Sequence, residues 1–361
     1  MADLREQMQA ALAAVVDECT GEPLRTVTVQ DADGDGTVRV QVELGYPCGG
    51  REAAIEDAVR TACAPLIAPE KLAVAVSHRI VAHAVQPGVA LLPEVKNVIA
   101  VASGKGGVGK SSTAVNLALA LAQQGAQVGL LDADIYGPSV PQMLGIAGER
   151  PKSEDGQTLL PLQAHGVQAM SIGFLVDVES PMVWRGPMAT QALNQLLNDT
   201  AWRALDYLLV DLPPGTGDIQ LTLAQRVPLT GALIVTTPQD IALLDARKGL
   251  KMFEKVNVPI LGVVENMSLH VCSHCGHTET IFGEGGGERL CADYGVPFLG
   301  KLPLDIRIRL GLDAGQPSVV AEPQGEIARH YQQIARAVAV AIARKAPDHS
   351  HKFPKIVVQN P

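Results

Sequence analysis

The sequence is poor in aromatic residues and in cysteine. Only 3% of its 361 residues are Phe, Trp or Tyr, and six are cysteine, at positions 19, 48, 63, 272, 275 and 291. So few cysteines in a chain of this length do not make the disulfide framework of a small secreted protein. We therefore expect reduced thiols and a cytoplasmic protein.

Long apolar runs and an excess of positive charge are also missing. No stretch reaches the roughly eighteen uninterrupted apolar residues that indicate a membrane-spanning helix. The formal net charge is -9, whereas nucleic-acid-binding proteins concentrate Lys and Arg on one face. The N-terminal segment carries Asp3 and Glu6 among apolar residues at helical spacing, unlike a secretory signal. We expect neither a nucleic acid nor a membrane as a partner.

Hydrophobic residues make up 47% of the chain, and their pattern predicts two folded units, since one core rarely grows to this length. Residues 1–80 have the pattern helix, strand, strand, helix, strand, which predicts a small α+β domain. Residues 81–96 are predicted to be a linker. From 97 to 345 short apolar runs alternate with helical patterns, which predicts an α/β domain with a doubly wound, mostly parallel sheet. The polar segment 346–361 is predicted to be a disordered tail.

A glycine-rich motif stands between a predicted strand at 98–102 and a predicted helix at 112–124, and it fits the pattern G-x-x-x-x-G-K-[ST] of a phosphate-binding loop. Glycines let backbone N–H groups face phosphates, and the N-terminus of the following helix favours negative charge. Lys110 is predicted to neutralise phosphate charge, and the Ser111 hydroxyl to hold Mg²⁺. The predicted nucleotide-binding residues of this motif are Gly104, Lys105, Gly106, Gly107, Val108, Gly109, Lys110, Ser111 and Ser112.

Acidic residues end or follow two further predicted strands. Asp211 lies in the strand at 207–212 and precedes a loop rich in Gly and Pro, while Asp132 and Asp134 end and follow the strand at 128–132. The carboxyl ends of parallel strands meet at one edge of a sheet, beside the phosphate loop. Asp211 is predicted to bind Mg²⁺, and Asp134 or Asp132 to hold metal-bound water or orient the attacking water. Helix N-capping is the alternative role for each carboxylate.

Cys272 and Cys275 form a pair that can chelate one soft metal ion. One pair leaves the coordination incomplete, but a symmetric dimer would bring four thiolates to its axis. Four thiolates suffice for a tetrahedral zinc ion or a four-cysteine iron–sulfur cluster. The alternatives are a redox-active dithiol, an inert pair, or an intramolecular zinc site completed by His274, His277 or Cys291.

The additional lysine of the phosphate loop, Lys105, carries a family resemblance. The run Gly-Lys-Gly-Gly-Val-Gly-Lys-Ser matches the signature of the deviant Walker A ATPases, which include the partition, division-site and nitrogenase-iron-protein families. In those families this lysine resembles an arginine finger that reaches the nucleotide of a partner subunit. The resemblance implies that Lys105 is catalytic, with Lys110 and Asp134, and that hydrolysis depends on a homodimer.

The second domain as a whole resembles the Mrp/ApbC family of iron–sulfur cluster carriers. The matching motifs lie at 104–112, 131–139, 185–187, 211–218, 265–268 and 272–275. The resemblance implies an ATPase that uses ATP and Mg²⁺ and binds a [4Fe–4S] cluster between two subunits through Cys272 and Cys275. It implies a cluster donor and recipient apoproteins as partners. It also implies that Asn266 lies near the adenine, with strand-end capping as the alternative.

The first unit resembles the small PaaD-like domain that is associated with iron–sulfur assembly. The likeness rests on the order of elements and on residues 44–49, which include Cys48. Cys48 precedes a predicted helix, whose dipole would lower the pKa of its thiol.

Two competing hypotheses share the nucleotide site. One is a partition or division-site switch, in which ATP-driven dimerisation creates a surface for DNA or membrane. In that case Cys272 and Cys275 would have no function. The other is an ATPase dimer stabilised by zinc, which differs from the cluster carrier only in the metal.

Overall fold

A computed structural model of the protein describes residues 2–32, 37–153, 155–175 and 186–348. A small three-stranded sheet with two helices precedes a large, mostly parallel sheet whose central strands are buried along their length. This confirms the predicted class, an α/β P-loop NTPase fold with a small α+β unit in front of it. None of the described helices is long and apolar enough to cross a bilayer.

The first unit is built around its middle strand, β4. The elements are, in order, α1 (Ala2–Leu12), β1 (Val16–Asp17), β2 (Glu22–Pro23), β3 (Val27–Ala32), β4 (Thr37–Leu44), α2 (Glu52–Cys63) and β5 (Leu72–His78). β4 pairs antiparallel with β3 and parallel with β5. Val38, Val40 and Val42 alternate with more exposed residues, so the period-two pattern turns one face of β4 into the core.

The segment predicted as a linker lies against the second unit. The buried Gln86 side chain donates to the Ala224 carbonyl at 2.8 Å and accepts from the Leu229 N–H at 3.0 Å. On the other side, the Asp348 N–H donates to the Ala82 carbonyl at 2.8 Å. The beginning of the predicted tail is therefore paired with this segment, and the rest of that tail lies outside the described residues.

The second unit contains a nine-stranded sheet. Its strands follow the order β13-β12-β11-β6-β10-β7-β9-β8, with β14 also paired to β12. Among the described strands of this sheet, β13 pairs antiparallel with β12 and β8 pairs antiparallel with β9, and the other pairs are parallel. The elements are β6 (Val95–Ala102), α3 (Lys110–Gln123), β7 (Val128–Asp132), α4 (Val140–Met143), β8 (Leu162–Ala164), β9 (Val167–Ser171), α5 (Gly186–Asn198), β10 (Leu205–Asp211), α6 (Asp218–Arg226), β11 (Gly231–Thr236), α7 (Asp240–Lys255), β12 (Ile260–Val271), β13 (Thr278–Glu279), α8 (Gly286–Tyr294), β14 (Phe298–Pro303), α9 (Ile306–Asp313), α10 (Ser318–Ala321) and α11 (Glu326–Ala343).

Continuous apolar runs form the central strands of this sheet. Every residue of β7, β10 and β11 is buried, as expected for parallel strands that are covered on both faces. β6 lies between β11 and β10, and β7 is the next strand beyond β10. The segments that follow β6, β10 and β7 therefore meet at one edge of the sheet, where α/β proteins place their ligands.

β12 is longer than the sequence predicted. The apolar run indicates a strand at 260–264, but β12 continues to Val271, because His270 and Val271 pair with β13. Hydrogen bonds to neighbouring strands hold this extension, so it has little apolar signal. The turn that carries Cys272 is thereby attached directly to the large sheet.

The two units share one continuous apolar core among the described residues. Gly49 of the first unit lies against the end of α3, where its N–H donates to the Gln124 carbonyl at 3.0 Å. A Cβ at this position would come within 2.7 Å of the Gln124 Cα, so the close approach depends on glycine. The division of the chain into domains stays a prediction.

Cys48 does not have the environment that the sequence predicted. Its side chain is buried, with Sγ 3.4 Å from His78 Nδ1. Burial raises the pKa of the Cys48 thiol, so the expected lowering by the helix dipole is wrong. A neutral thiol packed at the junction of the two units is the result.

Lys345, just after α11, gives a prediction about pH. Burial lowers the pKa of its ammonium from 10.5 to about 8, and Nζ donates to the Thr230 carbonyl at 2.5 Å. Between these pKa values the unfolded chain binds more protons, so this group makes the free energy of unfolding rise as the pH rises from about 8 to 10.5. Relative to wild type, Lys345→Met should therefore lose about 1 kcal/mol between pH 7.5 and pH 10, allowing for solvent screening. Urea unfolding at both pH values measures it, and a pH-independent difference would contradict it.

Candidate nucleotide site and cysteine hairpin

The glycine-rich motif forms the loop between β6 and α3, and α3 begins at Lys110, two residues earlier than predicted. Gly107 and Gly109 both have φ of +81°, a conformation that side chains disfavour. A Cβ at Gly104 would lie 2.2 Å from the carbonyl carbon of Asp245 on α7. The glycines therefore allow a tight loop that is backed by α7 and continues into the N-terminus of α3.

An open cavity of about 220 Å³ lies at this loop. It brings together residues from three separate sequence motifs and one residue, Met143, that lies outside them. They are Ser103, Lys105, Gly106, Gly107, Gly109, Lys110, Ser111 and Ser112 of the loop, Asp134 and Ser139 after β7, Met143 on α4, and Pro214 after β10. Gly104, Val108 and Asn266 are not among the lining residues and belong to the packing around the loop.

Lys110 and Asp211 form a buried ion pair beneath the loop. Lys110 Nζ lies 2.5 Å from Asp211 Oδ1 and 3.1 Å from Ser111 Oγ, and the two charged side chains are 6% and 0% exposed. The second carboxylate oxygen, Asp211 Oδ2, is buried and has no hydrogen-bond partner among the described residues. A buried carboxylate oxygen without a donor fits a hard cation or its bound water, and the Ser111 hydroxyl contacts the same lysine as this carboxylate. Ser111 and Asp211 therefore fit the predicted Mg²⁺ site.

Asp132 holds the loop before α4 and is not itself the N-cap of a helix, since the N-cap of α4 is Ser139. Its fully buried carboxylate accepts four hydrogen bonds of 3.1 Å each, from the backbone N–H groups of Asp134, Ser139 and Val140 and from the Ser171 hydroxyl. Burial, and then the charge of Asp211, raise the pKa of Asp132 to about 7. Asp132 fixes the loop before α4 and leaves the cavity to Asp134.

Asp134 lies half-buried at the cavity wall. Burial raises the pKa of its carboxyl group, and the nearby charge of Lys110 opposes that rise. A raised pKa brings a carboxyl group closer to the range in which it can exchange a proton with water at neutral pH. The position of Asp134 is compatible with a role in orienting the attacking water, which stays a prediction.

Lys105 lines the same cavity. Its backbone carbonyl accepts a hydrogen bond of 2.9 Å from Ser103 Oγ, which fixes the loop at this point. Within the described part of the chain its ammonium group has neither a hydrogen bond nor an ion pair. The Lys105 ammonium is thus not engaged within the described residues, and its action on a second subunit stays a prediction.

Asn266 contacts the phosphate loop from behind. Its Nδ2 donates to the Val108 carbonyl and its Oδ1 accepts from the Met267 N–H, both at 2.9 Å. A Cβ at Gly109 would lie 2.2 Å from Asn266 Nδ2, so this contact needs glycine in the loop. Asn266 lies within β12 rather than at its end, so strand-end capping does not describe it. Its predicted proximity to adenine stays a prediction.

Cys272 and Cys275 lie in the turn between β12 and β13, which we call the cysteine hairpin (residues 270–279). The Cys272 N–H donates to the His277 carbonyl at 2.9 Å, and the Gly276 N–H donates to the Cys272 carbonyl at 2.8 Å. Cys272 is partly exposed and Cys275 is exposed. Hydrogen bonds from the backbone N–H groups of Cys275 and then His274 lower the pKa of the Cys272 thiol, which favours the metal-binding thiolate.

The described residues contain no assembled zinc site within one protomer. Among the described residues, no group of three or more His, Cys, Asp or Glu side chains is arranged to hold a metal ion. Cys291, one of the residues proposed to complete such a site, is buried with Sγ 3.5 Å from the Pro297 carbonyl, and burial raises the pKa of its thiol to about 11. Cys291 is thus not placed to complete such a site, whereas the alternative with His274 or His277 stays a prediction.

Two residues at the site were not predicted. Met143 lines the cavity, and Gln220 on α6 donates to the Pro214 carbonyl at 2.5 Å, which holds the loop after Asp211. Neither has a sequence signal, because both reach the site through contacts between elements that are distant in the chain. Arg185, in the motif at 185–187, lies outside the described residues.

The chain is similar to known proteins over most of its length. A family model described as ParA, NUBPL iron-transfer P-loop NTPase, matches residues 94–339. The chain is 53% identical over 319 residues to the iron-sulfur cluster carrier protein of Haemophilus influenzae, covering 88% of this chain and 86% of that protein. It is 62% identical over 257 residues to the iron-sulfur cluster carrier protein of Pseudomonas fragi, covering 71% and 90%.

A solved structure that shares the fold contains ADP. It is the nucleotide-binding protein from Archaeoglobus fulgidus in complex with ADP, 37% identical with a TM-score of 0.57, and the match covers 64% of this chain and 90% of that one. The family match begins at residue 94, so the PaaD-like resemblance of the first unit stays a prediction.

Proposed function

The chain belongs to the iron-transfer P-loop NTPases, and from this premise we propose that it is an ATP-hydrolysing carrier that binds an iron–sulfur cluster between two copies of itself. The cluster is its cargo, received from a donor and passed to apoproteins. Both curated relatives described above are carriers by name.

The observation that carries this proposal is the incomplete donor set of the cysteine hairpin. Cys272 and Cys275 are accessible, the Cys272 thiol has a lowered pKa, and no third ligand lies beside them in the described structure. A [4Fe–4S] cluster takes four thiolates, and two symmetry-related copies of the hairpin would supply four. The apolar side chains of Val271 and Ile281, which flank the turn, are 44% and 52% exposed and suit a surface covered by a second copy.

The nucleotide site supplies the energy for this transfer. Lys110 and the N-terminus of α3 bind the phosphates, and Ser111 and Asp211 would hold Mg²⁺, which when bound neutralises charge on the phosphate oxygens. Asp134 orients the attacking water, and Lys105 reaches the nucleotide of the partner subunit. Asn266 contributes to the adenine side of the site.

The partition or division-site hypothesis uses the same nucleotide residues and leaves the cysteine hairpin without a function. No feature of the described residues favours it over the carrier. The zinc-stabilised dimer uses the same four thiolates, and a metal analysis distinguishes it from the carrier.

The test is anaerobic reconstitution with iron and sulfide, followed by absorption spectroscopy and metal analysis. Wild type should show thiolate-to-iron charge-transfer absorption and about four iron atoms per dimer. Cys272→Ala should lose both signals, whereas Cys291→Ala, which removes a buried thiol outside the hairpin, should keep them. Unchanged iron content in Cys272→Ala would refute the proposal, and stoichiometric zinc without a cluster would leave the zinc-stabilised dimer.

A further inference from the structure

β12 connects the phosphate loop to the cysteine hairpin as one continuous segment. Asn266 contacts the loop, and Cys272 follows six residues later along the same strand and turn. At the rise of a fully extended strand the two positions would be about 20 Å apart, which is an upper limit for this segment. Phosphates and thiolates are too distant for direct contact, so any influence between them within one protomer needs a mechanical connection.

A bulge interrupts β12 where it passes the phosphate loop. Glu265 pairs with Lys301 and Leu269 pairs with Pro303, so β12 has two residues more than β14 over this stretch. Within the bulge, Met267 has φ of +57°, a left-handed conformation that a side chain other than glycine rarely adopts. Such a conformation persists only where the surrounding contacts hold it, which makes the bulge sensitive to those contacts.

The Asn266 side chain joins the bulge to the phosphate loop. One end of the amide donates to the Val108 carbonyl, and the other accepts from the N–H of the strained Met267. Asn266 is 7% exposed, so water does not readily replace either bond. A displacement of the Val108 carbonyl must therefore break the bond to Asn266 or move the amide and, with it, the backbone at Met267.

Beyond the bulge, β12 is fixed to β14 and to the residue that follows β14. The Leu304 N–H donates to the Leu269 carbonyl at 2.7 Å, and His270 Nδ1 lies 2.9 Å from the Leu304 carbonyl. Ser268 Oγ donates to the Leu302 carbonyl at 3.1 Å. These bonds hold the segment from the bulge to His270 against β14, and the pairing of His270 and Val271 with β13 joins that segment to the turn that carries Cys272.

We propose that Asn266 is a positioning residue that couples occupancy of the phosphate loop to the geometry of Cys272 and Cys275. Phosphate binding to the N–H groups of the loop moves the Val108 carbonyl, Asn266 transmits the displacement to the bulge, and the cysteine hairpin changes its position. This inference rests on the proposed function, and it assigns Asn266 a role separate from its predicted contact with adenine.

The experiment measures the coupling between the two sites. Co²⁺ is titrated into the full-length protein, and its binding to thiolates is followed by the thiolate-to-cobalt charge-transfer absorption, with and without saturating MgADP. In wild type MgADP should change the Co²⁺ affinity by about fivefold or more, and Co²⁺ should change the ADP affinity by the same factor, because coupling free energies are reciprocal. In Asn266→Ala both changes should fall below about twofold.

Three further variants separate coupling from simple damage. Asn266→Asp keeps an acceptor for the Met267 N–H but lacks the donor to Val108, so it should lose the coupling as Ala does. Met267→Gly adopts the left-handed conformation without strain and loosens the bulge, so it should fold and show weaker coupling. Thr230→Val removes a buried hydroxyl that accepts from the Val98 N–H at 3.1 Å, away from this path, and should keep the wild-type coupling.

The outcomes distinguish this inference from the proposed function. If wild type shows no thiolate-bound Co²⁺, the cysteine hairpin binds no metal and the proposed function fails with it. If wild type binds Co²⁺ but MgADP has no effect, or if Asn266→Ala and Asn266→Asp keep the full effect, the hairpin can still carry metal but the coupling through Asn266 is overturned. If Asn266→Ala only weakened a contact with adenine, more ADP would be needed for saturation, but saturating MgADP would change the Co²⁺ affinity as much as in wild type.

Discussion

Lys110→Met should hydrolyse ATP at least about 10²- to 10³-fold more slowly than wild type, as expected when a preorganised charge is removed from a phosphoryl-transfer site. Lys110 begins α3 and lies under the loop, where its buried ammonium can neutralise phosphate charge. Methionine keeps the length of the side chain and removes the charge. Steady-state phosphate release measures the loss, and activity near that of wild type would exclude Lys110 from catalysis.

The same change should also destabilise the protein. Without Lys110 the Asp211 carboxylate stays buried with neither oxygen paired, and removing one partner of a buried pair costs about 3–5 kcal/mol. In the double variant Lys110→Met/Asp211→Asn neither charge of the buried pair is left. Part of the stability should therefore return while hydrolysis stays lost. Urea unfolding without nucleotide compares the three proteins. Equal stability of the single and double variants would contradict the ion-pair account.

Lys105→Ala should lower kcat for ATP hydrolysis by about 10³-fold, the lower end of the effect of an arginine finger, and leave ADP affinity within a few-fold of wild type. The physical reason is that Lys105 lines the cavity with its ammonium unpaired among the described residues. It would therefore contribute to the transition state of a neighbouring subunit more than to nucleotide binding in its own. Comparing kcat with the ADP dissociation constant separates these effects.

A mixture of the two inactive variants tests whether Lys105 acts across the dimer. In a hybrid of Lys105→Ala and Lys110→Met subunits, one site has an intact Lys110 and receives an intact Lys105 from the other subunit. An equal mixture that exchanges subunits at random should recover about a quarter of wild-type activity, since half of the dimers are hybrids with one complete site each. No recovery, with subunit exchange demonstrated, would place the action of Lys105 within its own protomer.

Features carried by neighbouring residues were predictable from the sequence. The phosphate loop, the acidic residues at strand ends and the cysteine pair each occupy a few consecutive positions, so residue type and spacing reveal their chemistry. The parallel sheet followed from continuous apolar runs such as β7 and β10, because strands covered on both faces need apolar residues throughout. Because the carboxyl ends of parallel strands lie at one edge of a sheet, the sequence also predicted that Asp211 and Asp134 lie near the phosphate loop.

The sequence by itself therefore determined the class of fold, the phosphate loop and the presence of two thiols, because local spacing and periodicity specify them. Only the tertiary structure decided that Asp132 holds a loop while Asp134 faces the cavity, that Cys48 is buried with a raised pKa, and that β12 extends to the cysteine hairpin. These outcomes depend on burial and on pairing between residues far apart in the chain, which local sequence does not encode. Asn266 shows the difference most clearly, since its partner Val108 precedes it by 158 residues.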